Sequence, residues 1–377
     1  MKILLIGEVY SSNLGDGIIC ETAYSLIKNQ FLDIEIDFFD LTFRNNFLEY
    51  RNFNLSINEK NNKKNIKQII CDTLLSNSIG EFILKYKEVH SNKDKLGILY
   101  KNKYDLCVFV GGSLFMDYFC LPIYKIIKTC DKRDIPIIFN SCGISNNENI
   151  IFKKLMSCAL KKSVVKYVSL RDGYESFQKR YHYNSEIIKS HDIAINCSTI
   201  YSIQKLDCSQ TIGLGVMYIE KYEKELFVFW RDVIKNLEKR NIKYKVFCNG
   251  DIYDYNFINK MYVKGIFKKD KIEIRPKKPI DLVDLIANYR CVISFRLHSH
   301  IIAASLEIPS VAIVWNAKVI EFFNQINRSE CCFYIQSDID EIIDCALNTD
   351  IDTKSINHIK KQSSNNMYYL ISKILCI

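Results

Sequence analysis

Arg296 and His298 stand two residues apart in the stretch Ser294-Phe-Arg-Leu-His-Ser-His-Ile-Ile-Ala-Ala-Ser305. They fall where a short apolar run, Cys291–Phe295, gives way to helical spacing. The run reads as a buried strand, and side chains at the carboxyl end of a strand in an open α/β sheet face the crevice where such folds bind ligands. A permanent cation beside a titratable imidazole suits an anionic substrate that undergoes proton transfer. The plain alternative is an interior arginine next to a satisfied histidine. His300 points to a different side of a helix from His298, so the two do not converge on a metal, and His300 reads as structural.

The same strand-end logic selects further residues. Arg171-Asp172 follows the apolar run Val165–Leu170, with Ser176 on the next helix; a surface arginine beside a capping aspartate is the competing reading. Gly111-Gly112-Ser113 follows Asp105–Val110, where two glycines admit either a close ligand or a tight turn. Asp117 then starts a helix, which it caps unless it faces the cleft. Asn13-Leu-Gly-Asp16, with Gly15 inside it, joins the first strand to its helix, where helix-start amides hold a phosphate or carboxylate. Asp16 reads equally as an N-cap. His191-Asp192 opens a similar turn, and Asp192 either orients an acceptor hydroxyl or caps it. The glycine spacing is not that of a dinucleotide fingerprint, and no Walker sequence, nucleophile elbow or kinase signature occurs.

These residues need a scaffold, and strand and helix patterns alternate along the chain. Strands are expected at Lys2–Gly7, Ile34–Phe39, Asp105–Val110, Ile135–Asn140 and Val165–Leu170, with a helix over Gly17–Asn29. Residues 196–210 lose the pattern and read as a linker. It restarts at Thr211–Met217, followed by an amphipathic helix with Leu226, Trp230, Val233, Ile234 and Leu237 on one face. Further strands are expected at Tyr244–Cys248, Ile272–Arg275, Cys291–Phe295 and Ser310–Trp315, then a closing helix with Met367, Leu370, Ile371, Ile374 and Leu375 in a stripe. Such alternation implies parallel strands covered by helices. The expectation is α/β: two Rossmann-like domains facing each other across a cleft, a GT-B-like layout. Its parts are residues 1–200, residues 201–350, and a C-terminal helix, 351–377, packing back on the first domain. The Asn-rich 40–65 region reads as a loop or an inserted helix over the cleft.

Apolar residues make up 48% and charged residues 25% of 377, the balance of a folded soluble chain. The net charge of +9 is too diffuse to imply nucleic acid but favours anionic partners. The basic runs Lys60, Lys63, Lys64 and Lys67, and Lys268–Lys278, read as solvated faces. Fifteen cysteines are scattered through apolar runs without a C-x-x-C, which fits reduced thiols in a cytoplasmic protein better than a disulfide scaffold. No uncharged run is long enough to cross a bilayer, so any membrane association is expected to be peripheral.

Taken in order, these motifs resemble the polysaccharide pyruvyl transferase family. The matches are Asn13-Leu-Gly-Asp16, Gly111-Gly112 with Asp117, Gly143, Arg171-Asp172 with Ser176, Asp192, and Ser294-Phe-Arg-Leu-His298 with Pro309 and Lys318 downstream. The resemblance implies a GT-B-like enzyme that moves pyruvate from phosphoenolpyruvate onto a sugar as a ketal. The acceptor would be a cell-surface polysaccharide or its lipid-linked precursor, with no cofactor and no metal. Asn316 stands where the family often has an acid, and Ser113 where a third glycine is common.

On that reading Arg171 and Arg296 clamp the two anionic groups of phosphoenolpyruvate, because a planar guanidinium matches each bidentately. His298 acts as acid/base, Asp16 or Asp192 accepts the hydroxyl proton, and Lys318 steadies the leaving phosphate. Asn13, Gly15, Gly111, Gly112 and Asp117 complete the substrate contacts. The rival is a GT-B glycosyltransferase using a nucleotide sugar; a catalytically silent saccharide-binding protein is the third reading.

Overall fold

The computed structural model describes residues 1–47, 78–145 and 149–377. The cluster Lys60, Lys63, Lys64 and Lys67 and most of the 40–65 stretch lie outside the described residues. Two compact units emerge: Met1–Gly7 with Asp33–Lys189 and Tyr369–Ile377, and Glu8–Leu32 with Ser190–Tyr368. They are not consecutive halves of the chain. The division falls after Lys189 and not at residue 200, and helix α1 (Leu14–Gln30) groups with the second unit.

In the first unit, strands β1 (Lys2–Gly7), β2 (Glu35–Asp40), β3 (Leu106–Val110), β4 (Ile137–Cys142), β5 (Val165–Leu170) and β6 (Glu186–Lys189) form one parallel sheet. Their order is β2-β1-β3-β4-β5-β6. Every residue of β3 and β4 is buried, as continuous apolar strands require when helices cover both faces. Helices α2 (Ser78–Ser91), α3 (Asp117–Asp131), α4 (Ile150–Leu160) and α5 (Tyr174–Arg180) supply that cover. Phe109 and Phe139 stack at 4.4 Å between neighbouring strands, with Phe115 5.0 Å from Phe139. The half-exposed edge strand β6 has no apolar run to announce it.

The second unit holds β7 (Ile212–Gly215), β8 (Tyr244–Phe247), β9 (Cys291–Ser294), β10 (Ser310–Ile313) and β11 (Cys332–Phe333), parallel in the order β11-β10-β9-β7-β8. Its helices are α6 (Glu223–Lys239), α7 (Ile252–Val263), α8 (Pro279–Ala287), α9 (Leu297–Ser305), α10 (Ala317–Gln325), α11 (Ile339–Asn348) and α12 (Thr353–Leu375). The α6 stripe is buried throughout, with Trp230 against Phe229 and Phe295. α1 packs on α8 and on two short turns, Ile193–Asn196 and Cys197–Tyr201.

Those turns correct the expected linker at 196–210. Asp192 caps the first through Ala194 N (2.9 Å), and Cys197 and Ser198 of the second are buried. A turn of four or five residues is too short to display a period. The strand expected at Ile272–Arg275 reduces to one bridge, Ile272 with Val246. Pro276 removes a donor just beyond, Arg275 donates to Gly250 O (2.6 Å), and Ile274 is left 84% exposed. Met367, Leu370 and Ile371 of α12 are buried, and its last turns, from Tyr369, group with the first unit, where Lys373 lies over the Tyr167 ring.

Candidate active site

The second sheet changes direction at β7. The chain passes from β7 to β8 on one side and then to β9 on the other, so a crevice is expected beyond the carboxyl ends of β7 and β9. There β9 ends in Ser294, whose hydroxyl accepts from Arg296 N (3.0 Å) and donates to Gly215 O (3.0 Å). This knot turns the chain, so that Arg296 becomes the extended residue before α9 and His298 sits in its first turn.

Asn13 plays the matching part for α1. It is extended, and the helix begins at Leu14, three residues earlier than expected, which places Gly15 and Asp16 inside the first turn. Asp16 is therefore not the N-cap. Its Oδ2 accepts from Asn13 Nδ2 (3.0 Å) and Ser11 Oγ (3.2 Å), and a carboxylate there is favoured by the helix dipole. Leu14 N donates to Asn249 O (2.9 Å), which joins α1 to the loop after β8.

Gly15 has a steric reason. A Cβ on it would stand 2.2 Å from His298 Nδ1 and 2.3 Å from Cγ, so the imidazole lies in the space a side chain would need. The other ring nitrogen, Nε2, is 3.8 Å from Asp192 Oδ2, while Asp192 Oδ1 holds Ala194 N. Asp192 thus caps a turn with one oxygen and faces the histidine with the other. Both side chains are buried.

Arg296 is held by a residue that the sequence did not single out. Asp254, fully buried on α7, accepts Nε (2.9 Å) and Nη2 (2.7 Å) of Arg296 through Oδ2, and Tyr218 N (2.8 Å) through Oδ1. Burial pushes the Asp254 carboxyl up to about 6, and the Arg296 charge limits the rise. Burial works against the guanidinium charge of Arg296, but Asp254, Asp251 and Asp16 outweigh it and raise its pKa. Beside it opens a cavity of about 610 Å³, lined by Tyr218, Glu220, Asp251, Asp254, Lys260 and Arg296 among others. Two buried atoms at the α1–β8 junction, Asn13 Oδ1 and Asn249 Nδ2, have no hydrogen-bond partner among the described residues.

Asn13, Gly15, Asp16, Asp192, Arg296 and His298 therefore form one cluster. His300 stands apart from it: its Nε2 lies 3.0 Å from Ser294 O, and burial lowers its pKa to about 4, consistent with a structural neutral histidine. Lys318 begins α10 with Nζ 5.4 Å over the Trp315 ring. Asn316, the departure from an acid, caps that helix by accepting from Lys318 N (3.1 Å). Among the described residues no group of three or more His, Cys, Asp or Glu side chains could hold a metal.

Gly111, Gly112, Asp117 and Arg171 belong to the first unit. Gly111 and Gly112 both have positive φ, and Gly112 O accepts from Gly143 N (2.7 Å). Arg171 is buried with its Nε on Asp172 Oδ2 (3.1 Å), and Asp172 Oδ1 accepts from Ile144 N (3.0 Å). Asp117 accepts from Asn149 N (3.1 Å). Asp254 left only a faint trace in the sequence: Asn249-Gly250-Asp251 follows β8 as a polar strand end, and Asp254 lies three residues on along the helix face.

Residues 13–317 match the model of the family described as polysaccharide pyruvyl transferase, well over half of the chain. The chain belongs to the polysaccharide pyruvyl transferase family. The curated amylovoran biosynthesis protein AmsJ of Erwinia amylovora is 24% identical to this pyruvyl transferase family member, over 93% of this chain and 92% of its own. Solved structures share the fold at lower identity. S. aureus MnaA in a co-structure with UDP superposes with a TM-score of 0.57 at 11% identity, covering 99% of this chain and 96% of its own. The UDP-GlcNAc 2-epimerase of Methanocaldococcus jannaschii gives 0.57 at 11%, covering 98% and 99%. The fold is GT-B-like, and the family assigns the protein to polysaccharide biosynthesis as an enzyme. No helix among the described residues is long and apolar enough to cross a membrane.

Proposed function

We propose that the protein transfers a pyruvyl group from phosphoenolpyruvate to two hydroxyls of a saccharide, free or lipid-linked, forming a cyclic ketal and releasing phosphate. One observation carries the chemistry: His298, a titratable imidazole, is seated on Gly15 and backed by Asp192, two residues from an arginine anchored by Asp254. The reaction needs both kinds of group.

Arg296 binds an anionic group of the donor, and Asp254 fixes the orientation of its guanidinium plane. His298 delivers a proton to the donor methylene, which leaves the central carbon open to an acceptor hydroxyl. Asp192 stabilises the imidazolium form that supplies this proton. A second hydroxyl then displaces phosphate; one hydroxyl proton returns to the His298 imidazole, which gave its own to the methylene, and the other leaves with phosphate. Asp16, committed to Ser11 and Asn13, is a positioning residue. The cavity beside Arg296 is of a size for a ligand on the monosaccharide scale, and its carboxylates suit hydroxyl recognition.

The test is incubation with phosphoenolpyruvate labelled in the pyruvyl carbons and a panel of glycans, following product mass and inorganic phosphate together. Label on the glycan with equimolar phosphate is expected. Phosphate release with no glycan, combined with transfer from a nucleotide sugar, would replace this reading with glycosyl transfer.

A further inference from the structure

Two pairs of cysteines bring their sulfurs almost into contact. Cys107 and Cys130 are 3.7 Å apart in the first unit, and Cys331 and Cys345 are 3.6 Å apart in the second. A disulfide needs about 2.05 Å, so either pair could close with a displacement of roughly 1.6 Å. Their surroundings differ. Cys107 and Cys130 are wholly buried in the core, and the neighbouring thiol together with burial pushes Cys107 well above the ordinary thiol range.

Cys331 ends the turn Ser329–Cys331, and Cys345 projects from α11. Three groups converge on the Cys331 sulfur: the Cys345 thiol, the Thr349 hydroxyl (3.2 Å) and Arg328 Nη2 (3.7 Å). Arg328 also pairs with Glu330 at 3.0 Å. The Cys345 hydrogen bond, with Thr349 and Arg328, overcomes burial and lowers Cys331 below the ordinary thiol range, while the same contact raises Cys345, so Cys331 is the thiol that ionises first. Cys331 is itself buried, but its partner Cys345 is partly exposed, which gives a small oxidant a route to the pair that Cys107 and Cys130 lack.

We infer that Cys331 and Cys345 are a redox modification site, in which a peroxide converts the two thiols to a reversible disulfide. The Cys331 thiolate attacks one peroxide oxygen and becomes a sulfenic acid, releasing hydroxide. The Cys345 sulfur then attacks the sulfenic sulfur and expels the second oxygen as water. Two thiols lose two electrons and two protons, and one hydrogen peroxide becomes two waters. The bond would tie the chain entering the edge strand β11 to α11.

The experiment treats the full-length protein with hydrogen peroxide near neutral pH, blocks remaining thiols by alkylation, and maps cross-links by peptide mass. The Cys331–Cys345 link should appear at least about tenfold faster than any Cys107–Cys130 link, since the thiolate is the reacting form, and dithiothreitol should reverse it. In Cys345→Ser, dimedone should trap a sulfenic acid at Cys331. Equal closure of both pairs would overturn the inference. So would full alkylation of Cys331 and Cys345 once exposed Cys158, Cys208 and Cys376 have oxidised. The wild-type measurement decides the matter even where a variant folds poorly.

Discussion

The imidazole of His298 occupies the volume into which a side chain at residue 15 would project, so a glycine on α1 and a histidine on α9 share one place. The two residues are far apart in the chain, and each explains the other. Gly15 is needed because His298 is there, and His298 is fixed between Gly15 and Asp192.

Gly15→Ala should therefore displace the imidazole without harming helix formation, since alanine is the better helix residue. Transfer should fall by roughly 10²–10³ in kcat/KM, comparable to removal of an oriented catalytic group. Circular dichroism should show the fold retained. His298→Ala should abolish transfer while calorimetry still detects donor binding. Wild-type turnover in either variant would remove His298 from the chemistry.

Arg296 and Asp254 should behave as one unit. Arg296→Ala should lower kcat/KM by roughly 10²–10³ if the cation stabilises developing charge. Asp254→Asn keeps the shape but weakens the hold on the guanidinium, and roughly a tenfold loss is expected. Because the pair is in direct contact, the double variant should lose less than the sum of the two. Strict additivity would show that Asp254 does not act through Arg296.

His300 makes a pH prediction. Its folded pKa, about 4, lies below the ordinary histidine value of 6.5, so the unfolded chain binds the proton more readily between those values. The stability it contributes is complete above pH 6.5 and is lost as pH falls toward 4, by up to about 3 kcal/mol. Asp254 has the opposite sign: raised from 3.8 to about 6, it contributes stability that is lost as pH rises through that window. The difference between wild type and His300→Gln in urea melts from pH 4 to 7 isolates the histidine, and parallel curves would contradict its burial as a neutral group.

Arg171 and Asp172 form a buried pair in the first unit, with 5% and 6% of their side chains exposed. Asp172→Ala would leave the guanidinium without that partner and remove the acceptor for Ile144 N. A loss of about 3–5 kcal/mol is expected in chemical denaturation. A change below 1 kcal/mol would mean that the pair is replaced by solvent at little cost.

The sequence by itself determined the class of the fold and placed the candidate site residues at strand ends and helix starts. Buried parallel strands must be continuous apolar runs, and the switch to helical period after Phe295 puts Arg296 and His298 at a strand end from the pattern alone. The family motifs fixed the rest of the second-unit cluster, Asn13 to Asp16 and Asp192. Other features had no local signature. An edge strand such as β6 and two turns too short to show a period depend on neighbours distant in the chain. Asp254 looked like any helical acid until tertiary packing buried it against Arg296, and Gly15 looked like a turn glycine until His298 took its space. Partnership and steric exclusion act through space between segments far apart in the chain, so only the folded arrangement could assign them.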